Sequence, residues 1–214
     1  VVPNATITAE KVIIACNYES LAHGQPKQRV VGVTLSGSIT RVLGKDELEK
    51  LGNQSSWGVL SLHRGGATVR LTADGRISIR NTAEYNNHRL LTDRQLLKRQ
   101  AIHRKAFDNR FPQLSHVSFE HLYSGVEGVS ANKTNIFKKL SNSLYFAGCF
   151  NGSGITKGTA FGMGIAEYVC DHESSLVSDC LATAKADWLP PRPVLDVGAW
   201  FITRQRFIGV GKDR

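Results

Sequence analysis

What the sequence lacks narrows its class first. No apolar run among its 214 residues approaches the roughly 20 that a membrane-spanning helix needs, and no signal-peptide pattern opens it. A cytoplasmic chain is therefore expected. Its four cysteines, Cys16, Cys149, Cys170 and Cys180, fit neither a metal site nor a disulfide framework, so reduced thiols are expected. His23, His88, His103, His116 and His121 have no ligand spacing between them, and no metal is expected. Repeats and low-complexity tracts are missing too. The hydrophobic (41%) and charged (21%) fractions are those of an ordinary globular protein, long enough for one or two compact units.

One excess stands against these absences, a net charge of +9. Much of it falls in residues 89–110, which read as an amphipathic helix. Arg94, Lys98, Arg99, Arg104 and Lys105 are assigned to its exposed faces, and Leu90, Leu97, Ala101 and Phe107 to the inward one. No aromatics interleave with the cations and no zinc spacing accompanies them, so a solvated helix face is expected and no nucleic-acid partner.

The chain is organised around residues 143–169. Leu144 to Ala147 form a short apolar run, read as a buried strand. Gly148, Gly152, Gly154 and Gly158 follow in a loop whose backbone can approach a ligand closely. After Thr156 the pattern turns helical, with Ala160, Phe161, Ile165 and Val169 at helical spacing, and Gly162 and Gly164 are expected to permit close packing. A strand, a glycine loop and a helix start present free amides and the positive end of a helix dipole. The phosphate-binding P-loop fails here, because the order is Lys157-Gly158-Thr159. The G-x-G-x-x-G fingerprint also fails, because Lys157 stands where its last glycine belongs. A self-standing nucleotide hydrolase is thus disfavoured, and a merely tight turn remains open.

Elsewhere, residues 12–15 read as a buried parallel strand and 30–43 as a long one, followed by a short helix at 45–51 closed by Gly52-Asn53. Strands are predicted at 57–62, 67–72 and 76–81, the last two flanking the hairpin signal Asp74-Gly75. Phe111-Pro112 ends the basic helix. A strand at 117–126, a loop at 132–140, helices at 174–181 and 197–207, and a turn-rich spacer at 188–193 complete the reading. Adjacent strand pairs argue for an antiparallel sheet in the middle and a parallel unit at the two ends, an α/β (α+β) class.

The run Leu144-Tyr-Phe-Ala-Gly148-Cys-Phe-Asn-Gly152-Ser-Gly154-Ile-Thr-Lys-Gly158-Thr159 resembles the C-terminal flavin-binding segment of the D-amino-acid oxidase/glycine oxidase superfamily of FAD-dependent oxidoreductases. It looks closest to the amine-oxidising branch that includes γ-glutamylputrescine oxidase. Residues 57–82 resemble that family's substrate-domain sheet. The resemblance implies a partial FAD/NAD(P)-binding Rossmann-like domain plus a mixed, mainly antiparallel substrate-domain sheet. It assigns 1–28 and 141–185 to the FAD side, 29–140 to the substrate side and 186–214 to a C-terminal spacer and helix. It implies non-covalent FAD contacted by Ala15, Cys16 and Asn17, with Cys16 standing where threonine is frequent, and by Gly148, Asn151, Gly152, Ser153, Gly154, Ile155, Thr156 and Lys157. It covers nearly all of this chain but only the C-terminal half of a family member. A fragment is therefore expected, partnered by an N-terminal Rossmann half in cis or in trans.

On the substrate side, Arg76 and Arg80 share a strand face by alternation, and His63, Arg80 and Tyr123 are the candidate contacts. Amino-acid-oxidising relatives tend to carry Trp-x-Gly-x-Arg-Pro before the central motif. Here the run is Tyr123-Ser-Gly125-Val-Glu127-Gly128, with Glu127 in the arginine's place, which favours an amine or N-alkylated substrate. The implied function is oxidation of a C–N bond by hydride transfer to flavin, with no catalytic side chain identified. The alternative is a non-catalytic interaction module whose basic helix meets acidic partners.

Overall fold

The computed structural model describes residues 4–213. Along the chain come β1 (Val12–Ile14), β2 (Val31–Thr40), α1 (Lys45–Glu49), β3 (Trp57–Leu60), β4 (Thr68–Leu71) and β5 (Ile77–Glu84). Then follow α2 (Asp93–Arg110), β6 (Phe119–Val129), β7 (Ile136–Lys139), β8 (Leu144–Gly148), α3 (Gly154–Val169), α4 (Ser175–Leu181) and α5 (Val194–Gln205). The described residues divide into two compact units, one of residues 4–32 and 127–191, the other of residues 33–126 and 192–213. No helix among them is long and apolar enough to cross a membrane.

The first unit holds a three-stranded sheet in the order β1-β8-β7. β1 runs parallel to β8, with Val12 opposite Leu144, and β7 runs antiparallel, with Ile136 opposite Gly148. Alternation along β8 feeds two cores. Tyr145 and Ala147 pack with Phe137, Phe161, Ile165 and Cys180, while Phe146 packs with Val30, Ile136, Cys149 and Ala186. Four expectations need correction here. Residues 132–140 are not all loop, because β7 lies within them: Ile136 and Phe137 are buried while Lys138 and Lys139 reach water. β1 is an edge strand rather than a buried one, with Val12 and Ile13 exposed. The helix begins at Gly154, two residues before Thr156. Gly164 does serve packing, since a Cβ there would lie 3.3 Å from Cys180 Sγ, whereas Gly162 faces open space.

The second unit is built on a five-stranded sheet in the order β3-β4-β5-β2-β6. β3, β4, β5 and β2 pair antiparallel, and the β4–β5 turn is closed by Gly75 at φ +77°. Val69, Leu71, Ile77 and Ile79 form one core with Ala106, Phe107, Leu114 and Val117. α2 starts in a capping box, with the Gln95 amide donating to Thr92 Oγ1 and Thr92 N–H to Gln95 Oε1. Its inward side is His103, Ala106 and Phe107. Leu97 and Ala101 lie outside, and Leu90 precedes the helix and is exposed. The reason is a polar seam beneath α2: the His103 ring meets Ser38 Oγ at 2.7 Å and Ser36 Oγ at 3.3 Å. Burial, with Arg99 nearby, holds His103 down to about 4. Part of the basic face is neutralised within the fold, because Arg99 grips Glu84 twice at 2.8 Å and Arg104 pairs with Asp108 at 2.6 Å.

Candidate cofactor site

The turn from β8 into α3 follows from three left-handed residues in close succession, Cys149 (φ +63°), Asn151 (φ +53°) and Gly152 (φ +89°). Asparagine and glycine tolerate that conformation, and cysteine needs outside support. Asn17, itself at φ +50° just past β1, provides it by accepting the Cys149 N–H on Oδ1 at 2.9 Å. That contact explains Gly128 as well, since a Cβ there would lie 2.8 Å from Asn17 Oδ1. Asn151 holds the other side of the turn. Its Oδ1 accepts the Ser130 N–H at 2.9 Å, and its Nδ2 donates to Cys149 O at 2.8 Å and to Thr134 O at 3.0 Å.

The clamped turn leaves a set of amides facing outward. Among the described residues, the N–H groups of Gly152, Gly154, Ile155 and Thr156 have no acceptor in the protein, and all four residues are exposed. Ser153 stands at the N-cap but gives no side-chain cap. By contrast, α2 and α4 are capped by the side chains of Thr92 and Ser174. A Cβ on Gly154 would meet nothing within 4 Å. The start of a 16-residue helix thus presents free donors and its positive end to open space. An electron-rich edge bearing acceptors, such as a flavin's pyrimidine carbonyls, suits this cradle.

The remaining expected residues sort by position. Ala15 and Cys16 lie exposed at the end of β1. Lys157 reaches Asn135 Oδ1 at 3.2 Å, and Gly148 sits under the Phe146 ring, where a Cβ would lie at 3.1 Å. The side chains of Asn17 and Asn151 are engaged within the turn, so they act as positioning groups. The Cys149 thiol is fully buried and burial raises it to about 11, leaving it inert. Reading the sequence missed Glu127 as a neighbour of the turn; its Oε2 lies 3.1 Å from where a Gly152 Cβ would stand.

Of the three substrate-side candidates, two come together. Arg80 is registered against Gly37, and the Tyr123 ring lies on that same glycine, with its hydroxyl 3.5 Å from Ser78 Oγ. Arg80 donates to Thr68 Oγ1 at 2.9 Å. His63 sits apart in the turn after β3, where its Nδ1 accepts the Gly65 N–H at 3.1 Å. Arg76 is held by Asp74, Glu120 and the Thr40 carbonyl.

Comparison with known proteins agrees with this architecture. Solved structures of L-proline dehydrogenase from P. horikoshii (TM-score 0.60, 18% identity, 78% of this chain and 44% of that one) and of glycine oxidase from Geobacillus kaustophilus (0.61, 16%, 81% and 45%) share the fold. So does iminodiacetate oxidase from Chelativorans sp. BNC1 (0.61, 17%, 79% and 44%). The chain spans less than half the length of each. No curated protein matches it in sequence. The family model described as FAD dependent oxidoreductase (DAO) matches residues 1–168, a stretch that carries the whole β8–turn–α3 cradle as far as Tyr168, and the chain therefore belongs to that family.

Proposed function

We propose that this chain forms the flavin-ring side of an enzyme oxidising a C–N bond of an amine or amino-acid-like substrate. The uncapped start of α3 carries the reading. The amides of Gly152, Gly154, Ile155 and Thr156 would hold the ring's carbonyl edge, with Ala15 and Cys16 beside them and Asn17 and Asn151 fixing the turn. A bound flavin supplies the hydride acceptor, so the protein needs no acid–base set and instead orients substrate, excludes water and tunes charge. The helix end lowers the energy of negative charge gathered at its amides. Arg80 and Tyr123 are assigned to substrate. Glu127, a carboxylate beside Gly152, supports an amine over an α-carboxylate and thereby the γ-glutamylputrescine-oxidase-like branch. In this reading residues 1–28 and 141–185 form the flavin side and the substrate side lies within 29–140. The exposed outer edge of β1 supports pairing with a Rossmann half that brings the adenosine site, in cis or in trans.

The test is to express the chain joined to such a half, record its flavin absorbance, and follow anaerobic bleaching by amines and by α-amino acids. Yellow protein bleached by amines is expected. Colourless, folded protein refutes the cofactor assignment, and bleaching by α-amino acids alone refutes the preference for an amine drawn from Glu127.

A further inference from the structure

α5 has its polarity reversed for a helix packed on one side. Ala199 and Thr203 are its buried positions, and Asp196 turns the same way, accepting the Tyr85 hydroxyl at 2.5 Å and pairing with Arg192 at 3.2 Å. The opposite face presents Val194, Val197 and Phe201, exposed by 62, 68 and 54%, flanked by Trp200 and Ile202. Ile208 continues the apolar surface beyond the helix end. Asp196 is the only acid in the helix, so none points outward. An apolar face of this kind marks a docking surface.

The charges around it indicate what docks. The Arg204 guanidinium stacks over the Trp200 ring at 4.7 Å, and the exposed Lys212 follows. A cleft lined by Arg99 and Ile102 of α2, by Thr82 and Glu84 of β5 and by Arg204, Phe207 and Ile208 brings the end of α5 near α2. Arg94, Lys98 and Lys105 stand on the exposed side of α2. Aromatic and aliphatic side chains rimmed by cations are the composition of a helix lying in a membrane interface. Twelve residues reach about 18 Å, too short to span a bilayer and sufficient to lie along one. The family match ends at residue 168, so α5 lies outside the matched region.

We propose that α5 seats the protein on an anionic phospholipid surface, with Val194, Val197 and Phe201 at the acyl boundary and Arg204 and Lys212 among the headgroups. The proposal is independent of the flavin site. It is tested by co-sedimenting the 214-residue chain with vesicles of phosphatidylcholine, alone or mixed in equal parts with phosphatidylglycerol. Binding to the mixed vesicles, weakening with salt, is expected. Val197→Asp with Phe201→Asp, both at solvent-facing positions, abolishes it while circular dichroism stays unchanged. Arg204→Gln with Lys212→Gln weakens it about thirtyfold, from the attraction of two surface cations. Absence of binding to either vesicle overturns the proposal, as does equal binding to both. A dimer in sedimentation velocity that the aspartate pair disperses, without vesicle binding, overturns it in favour of a second copy of the chain.

Discussion

Replacing Asn151 by alanine tests whether one carboxamide holds the cradle open. Ser130, whose N–H it accepts, is 1% exposed, so that donor is left without a partner at a cost of about 1–3 kcal/mol. The Cys149 and Thr134 carbonyls each lose a donor, worth about 0.5–1.5 kcal/mol apiece. Alanine also resists φ +53° by about 1 kcal/mol, which glycine does not. The expected destabilisation is about 5 kcal/mol for Asn151→Ala and about 4 kcal/mol for Asn151→Gly. Hydrogen–deuterium exchange on peptides covering 148–156 measures it locally, with the five-stranded sheet as internal reference. Exchange of the protected amides there rises by at least about a hundredfold in both variants. Unchanged protection at Cys149 and Ser153 refutes the view that this side chain shapes the turn.

Three further outcomes are expected. His103 is neutral in the fold and titrates near 4 against about 6.5 when unfolded, so the unfolded chain takes up the proton first as pH falls. Its contribution, about 3 kcal/mol, is complete above the unfolded value and is lost as pH falls toward 4; urea midpoints across that window should steepen relative to His103→Gln, and parallel curves contradict it. Gly37→Ala drives a Cβ to 2.8 Å from the Ile79 carbonyl and 2.6 Å from the Tyr123 ring, and a cost of about 1–3 kcal/mol should appear as a Tm loss of several degrees. In the reconstituted flavoenzyme, Glu127→Gln should lower kcat/KM for amines by about tenfold at unchanged flavin absorbance, and an unaltered ratio removes Glu127 from substrate contact.

Much of this molecule can be read from its residues. Asp74-Gly75 announces its hairpin, and the run from Leu144 to Gly154 announces strand, turn and helix because glycine and asparagine have few other reasons to cluster there. What escaped depends on partners far away in the chain. β7 offers only Ile136 and Phe137 before two lysines, too little alternation to declare a strand until β8 stands beside it. The inward histidine of α2 is explained by Ser36 and Ser38, more than sixty residues earlier, whose hydroxyls favour an imidazole over the leucines assigned to that face. The glycine loop announces free amides at this helix start but not which ones, because nothing in sequence says that Ser153 leaves uncapped what Thr92 and Ser174 cap elsewhere.

The pairing of β1 with β8 also dictates an order of assembly. Val12 must wait for Leu144, and everything between belongs mostly to the other unit. At a synthesis rate of about 5–20 residues per second, that interval is on the order of ten seconds on the ribosome. For that time β1 lacks β8, and its β8-facing edge stands open on the nascent chain to chaperones and to mispairing.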